Sequence, residues 1–138
     1  MKTLIAAALL LAAPTAAVAQ DPGKITFEFE TARAEGAVTV ALFDSAEAYG
    51  GGAPVATKQA PVGAHGAVVT FENLPAGDYA MRSFHDVNGD GEMNVNPFGM
   101  PTEPYAFSNN AVGNMGPAGW DRAAFRVEGA VTQAIELK

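Results

Sequence analysis

Asn73-Leu74-Pro75-Ala76-Gly77-Asp78-Tyr79-Ala80-Met81-Arg82-Ser83-Phe84-His85 reads as a turn running straight into a strand. Pro-x-Gly sets the turn, and the Tyr two residues after Gly77 can pack its ring inward while its hydroxyl reaches a nearby backbone group. Greek-key sandwiches use such a tyrosine corner. From there Tyr79, Met81 and Ser83 fall on one face of the strand and Ala80, Arg82 and Phe84 on the other. Gly36, Gly77 and Gly99 read as turn residues.

The same period of two extends on both sides. Val68-Val69-Thr70-Phe71 is a strand ended by the turn. Ile25, Phe27 and Phe29 alternate with Thr26, Glu28 and Glu30, and Val38, Val40 and Leu42 share one side of the next run. Val55 to Gln59 is a weak, short edge candidate beyond Gly50-Gly51-Gly52. Phe125 and Val127 lead through Glu128-Gly129 into Val131, Gln133, Ile135 and Leu137, which reads as a closing hairpin. No window after residue 19 carries a helical stripe. The fold class is therefore all-β, an antiparallel β-sandwich of about seven strands. Phe27, Val40, Leu42, Phe71, Tyr79, Met81, Phe125 and Ile135 are its expected core.

Length and charge narrow the function. The chain has 138 residues, 8 Lys+Arg against 15 Asp+Glu, and no Cys. One domain fits that length. A net charge of −7 argues against nucleic acid and against an anionic membrane surface. Without Cys there is no disulfide, thiolate zinc site or Cys nucleophile. Lys2, the apolar run Leu4 to Ala13, Pro14-Thr15 and then Ala17-Val18-Ala19 follow the order of a cleaved secretory signal. The expected division is a signal peptide over 1–19 and a single domain over 20–138. That implies a periplasmic or secreted protein, with no membrane insertion once the signal is removed.

One region departs from the strand pattern. Residues 86–123 contain six Gly, four Pro and six Asn in 38 residues, with no periodic run. Loops beyond about 12–15 residues are uncommon in compact domains unless they are functional or disordered. Phe98, Met100, Tyr105, Phe107 and Trp120 argue for an ordered segment folded over the sandwich with its aromatics buried. Its start, Asp86-Val87-Asn88-Gly89-Asp90-Gly91-Glu92-Met93-Asn94, places oxygen-bearing side chains at relative positions 1, 3, 5 and 9 and Gly at 6. That is most of a calcium loop, in which alternate side chains point inward and Glu92 contributes its backbone carbonyl. The bidentate Glu expected at position 12 is replaced by Pro97, so Glu103 is the nearest carboxylate able to complete a Ca²⁺ shell. The same residues also suit a metal-free turn, since Asn-Gly and Asp-Gly are strong turn formers. His85, at a strand end, and His65, in a Gly-flanked loop, read as packed and surface residues, and an all-oxygen set disfavours transition metals.

Leu74-Pro75-Ala76-Gly77-Asp78-Tyr79-Ala80, Phe84-His85-Asp86-Val87-Asn88-Gly89-Asp90-Gly91, and the run from Phe98-Gly99-Met100-Pro101 through Phe107-Ser108-Asn109-Asn110 together resemble the bacterial domain of unknown function 2141. The resemblance covers most of the chain after the signal. It implies exported proteins with an immunoglobulin- or transthyretin-like sandwich and no assigned activity. Pro104 stands where a Gly is common, and Asn94 where an Asp is common, which takes one charge from the ion loop.

Catalysis finds little in the sequence: no Gly-x-Ser-x-Gly, no His-Glu-x-x-His, no phosphate loop. His85 with Ser108, or Glu103 with Asp90, are the pairs from which a small secreted hydrolase could be drawn. The reading favoured over it is a binding or structural module for an envelope or extracellular ligand, its oligomeric state open. If export follows this pattern, N-terminal sequencing of protein from the cell envelope should begin at Gln20. An intact Met1 would contradict it.

Overall fold

A computed structural model describes residues 22–137; the leader assigned to residues 1–19 lies outside them. The strands are β1 (Gly23–Thr31), β2 (Ala37–Phe43), β3 (Ala56–Pro61), β4 (Ala67–Leu74), β5 (Gly77–Asp86), β6 (Tyr105–Phe107), β7 (Phe125–Val127) and β8 (Ala130–Leu137). Two four-residue helices, α1 (Ala46–Tyr49) and α2 (Trp120–Ala123), and a 3₁₀ turn at Ser108–Asn110 complete the elements among the described residues. A three-stranded sheet ordered β4-β1-β8 packs on a five-stranded one ordered β3-β2-β5-β6, with β7 on the Gly77–Tyr79 end of β5. The sandwich and the edge position of the weak third strand are as the sequence implies.

Alternation places the core between the sheets. Ile25, Phe27 and Phe29 meet Val69 and Phe71 from β4, Ile135 and Leu137 from β8, and Val38, Val40, Leu42, Tyr79 and Met81 from the facing sheet. Phe27 is fully buried, edge-on to Phe71 at 6.3 Å and to Phe125 at 6.1 Å. Phe125 itself is half-buried, packed against the core's margin. The tyrosine corner forms: the Tyr79 hydroxyl donates to the Pro75 carbonyl at 2.7 Å.

The expected closing hairpin does not form. β7 pairs with β5, whereas β8 crosses to the other sheet and runs parallel to β1, from Lys24↔Ala130 to Thr31↔Leu137. Gly129, at φ 70, makes the corner, and the Lys24 N–H donates to its carbonyl at 3.0 Å, fixing β8 beside β1. Every other strand pair among the described residues is antiparallel.

The long segment is ordered, and it divides in two. Its second half covers the outer face of the five-stranded sheet, where Phe107, Ala118 and Ala123 join Phe43, Tyr49 and Ala80, with Trp120 packed alongside. The Tyr49 hydroxyl donates to the Ala118 carbonyl at 2.6 Å, and the Arg82 guanidinium lies 4.2 Å from the Tyr49 ring centre. The first half does not bury its aromatics as expected. Phe98 is 89% exposed, and Met100 and Tyr105 are exposed too. For Phe98 and Met100 the reason is local: the Asn96 side-chain oxygen accepts the N–H groups of both, making a self-contained turn.

Between the halves, Ser108-Asn109-Asn110 fastens the segment to both sheets. The buried Ser108 hydroxyl accepts the Met81 N–H at 2.9 Å and donates to the Ala123 carbonyl. The Asn110 amide donates to the Ala134 carbonyl and accepts the Glu136 N–H, occupying the open edge of β8 as a strand would. Asn109 and Asn110 stand at φ 61 and 50, left-handed positions that Asn tolerates. Phe71, 2% exposed at the centre of the aromatic stack, sets the core's sensitivity. Denaturant unfolding of Phe71→Ala should show a loss of about 3–5 kcal/mol.

Candidate metal centre

β5 delivers His85 and Asp86, both fully buried, to the end of the sandwich. They face different partners. The His85 Nε2 meets the Glu35 carbonyl at 2.6 Å, while Asp86 Oδ2 accepts the Gly91 N–H at 2.7 Å. Gly36, at φ 74, lets the β1–β2 turn close over this end. A Cβ there would stand 2.1 Å from the Asp86 carbonyl oxygen, so no other residue fits.

Beyond Asp86 the backbone curls back and turns its polar side chains onto one another. The Asn94 Nδ2 donates to Asp90 Oδ2 at 2.7 Å, and the Asn88 Nδ2 donates to Asn94 Oδ1 at 3.0 Å. Asn88 Oδ1 accepts the Asp90 N–H at 3.3 Å. Glu92 is exposed, and its backbone N–H donates to Asp90 Oδ1 at 3.0 Å. Glu103 then returns to the loop and spans it. Its Oε2 accepts the Val87 N–H at 2.7 Å and its Oε1 the Asn94 N–H at 3.0 Å. A buried carboxylate thus comes back to the loop where the position-12 residue, Pro97, is exposed in the adjoining turn.

The six residues singled out from the sequence are therefore gathered at one end of the sandwich. One oxygen from each of Asp86, Asp90 and Glu103 lies within 4.8 Å of the other two, an arrangement that could hold a metal ion. Asp86 Oδ1 is buried with no hydrogen-bond partner. From Ser83 to Asp121 there are five acidic residues and no Lys or Arg, so no side-chain cation within the segment answers this charge. Beside the loop opens a cavity of about 520 Å³, lined by Arg33, His85, Asn88, Asn94 and Glu103 among others.

His85 and Ser108 are not brought together as a base and nucleophile. The Ser108 hydroxyl is committed to Met81 and Ala123, and the His85 Nε2 to Glu35. Sequence reading missed the part played by Asn96 and Thr102. Asn96 shapes the turn, and Thr102 ties its base by donating from both N–H and hydroxyl to the Asn94 carbonyl. The run Asn96-Pro97-Phe98-Gly99 carries the turn signal that could have revealed it.

Residues 29–135 match the family described as "Uncharacterized protein conserved in bacteria (DUF2141)". The chain belongs to this family. The match runs from within β1 to within β8, so the acidic loop, Glu103 and the Ser-Asn-Asn clasp are all parts of the DUF2141 domain. Searches of curated proteins and of solved structures give no match. No helix among the described residues of this DUF2141 protein is long and apolar enough to cross a membrane.

The Glu92 N–H, then the Asn94 and Asn88 amides, hold the Asp90 carboxyl below its usual range. A lowered folded-state pKa contributes stability that is present above the unfolded Asp value and lost as pH falls through the folded one. The bonds that Asp90 accepts should therefore persist into mild acid. Carboxyl carbon NMR should place the Asp90 midpoint below that of an ordinary Asp, and Asn94→Ala should move it upward. An unchanged midpoint in that variant would contradict the assignment.

Proposed function

We propose that this DUF2141 protein is an exported, single-domain binding or structural module whose Asp86–Asn94 loop is stabilised by Ca²⁺. Asp86 Oδ1 carries the reading: a buried carboxylate oxygen without a donor, next to two further carboxylates. Burying such charge costs several kcal/mol unless a partner compensates it. Hard oxygens on a flexible loop suit Ca²⁺, which takes six to eight at about 2.3–2.6 Å, better than the soft or nitrogen-ligated metals. Asp86, Asn88, Asp90, Asn94 and Glu103 would supply side-chain oxygens and Glu92 its carbonyl. The amides that now donate to Asp90 would yield that place to the ion.

Export rests on the leader pattern of residues 1–19. The partner would be a molecule of the envelope or the extracellular space, met at the ion-stabilised end, where Phe98 and the cavity beside Arg33 are accessible. With at most three carboxylates, affinity should lie in the range of extracellular modules, about 10⁻⁴–10⁻³ M. At ten times its dissociation constant the ion would add about 1.4 kcal/mol.

Melting curves in millimolar Ca²⁺ and in chelator, on wild type and on Asp90→Ala, test this. Wild type should melt higher with calcium, and the variant should not respond. Four identical curves would return the loop to a plain turn.

A further inference from the structure

Asn88 is followed by Gly89, the one Asn-Gly pair in the chain. Gly89 stands at φ 71 with no atom beyond its two chain neighbours within 4 Å of where a Cβ would be, and Asn88 is exposed. No side chain at position 89 shields the Gly89 nitrogen from the Asn88 side-chain carbonyl carbon, which is what closure of a five-membered imide requires. We infer that Asn88 is a site of spontaneous deamidation, and that the reaction makes the loop more dependent on a cation than it is before.

In the reaction the deprotonated Gly89 nitrogen attacks Cγ of Asn88. A nitrogen–Cγ bond forms, the Cγ–Nδ2 bond breaks, and Nδ2 leaves as ammonia after taking up a proton. Water then opens the imide. Cleavage of the nitrogen–Cγ bond gives Asp at position 88. Cleavage at the main-chain carbonyl gives isoaspartate, with one extra carbon in the backbone. One water is consumed and one ammonia released, with no oxidant or reductant.

The hydrogen bonds of the loop set the consequence. The Asn88 Nδ2 donates to Asp90 Oδ2 at 3.3 Å and to Asn94 Oδ1 at 3.0 Å. A carboxylate has no proton to donate, so both bonds are lost. A fourth negative charge then stands beside Asp86, Asp90 and Glu103, in a segment without Lys or Arg. The same carboxylate is a better Ca²⁺ ligand than an amide oxygen. In the isoaspartate form the added carbon displaces Asp90, whose N–H is held by Asn88 Oδ1 at 3.3 Å. A bound ion would fix the Asn88 side chain and slow imide closure. The coupling to calcium rests on the proposed function; the reaction itself does not.

The test incubates the mature protein in mildly alkaline buffer, with chelator or with millimolar Ca²⁺, and maps its peptides by mass spectrometry. The expected result is a mass gain corresponding to NH₂ replaced by OH, confined to the peptide bearing Asn88 and several-fold slower with calcium. Asn88 intact after a synthetic Asp86–Asn94 peptide has converted would overturn the modification site. Asn88→Asp, melted in parallel, should fall below wild type in chelator and rise further than wild type with calcium. Equal calcium shifts in the two chains would overturn the coupling. Conversion at Asn88 with no calcium response in either chain would overturn the coupling and the calcium reading together, while supporting the modification site.

Discussion

The acidic end of this sandwich is arranged around one buried carboxylate. Asp86 ends β5 with no exposed surface, and only one of its oxygens has a hydrogen-bond partner, the Gly91 N–H. Burial removes water as a partner, so the charge must be met by what the chain places around it. The chain closes in from three sides. The β1–β2 turn approaches through Gly36, the loop curls back to Gly91, and Glu103 returns to take the Val87 and Asn94 N–H groups. Glu103 secures both ends of the loop but adds to its negative charge.

That clamp also positions the chain beyond Asn94. The turn from Asn94 to Thr102 hangs from the same backbone that Glu103 holds, so Phe98 is presented from a fixed base. After β6, the segment turns inward at Ser108 and seals the outer face of the five-stranded sheet with Phe107, Ala118 and Trp120. The Ser-Asn-Asn motif thus has a mechanical explanation. Ser108 fastens the segment to Met81, Asn109 holds the Arg122 and Ala124 carbonyls, and Asn110 closes the edge of β8.

Most of the fold was legible because burial between two sheets imposes a period of two. Phe27, Phe71, Met81 and Ile135 sit where that period places them. The partner of β8 was not legible. Val127 and Ile135 would face inward whether the chain folded back in one sheet or crossed to the other, and the Lys24–Gly129 bond that settles it joins residues far apart in sequence. Of the candidate site, the nearness of Asp86 and Asp90 was legible through oxygen spacing, and Glu103 was identified by proximity as the next carboxylate. The exposure of Phe98 was not, because it depends on where the Asn96 side chain bonds and not on the hydropathy of its neighbours.

Calcium at Asp86 is tested most directly by a crystal structure of the mature protein grown with Ca²⁺, with the ion located by its anomalous scattering. One peak is expected about 2.3–2.6 Å from Asp86 Oδ1, shared with Asp90 and Glu103. A loop with no peak, in which Asp86 Oδ1 accepts its hydrogen bond from a water or a protein donor, would contradict it.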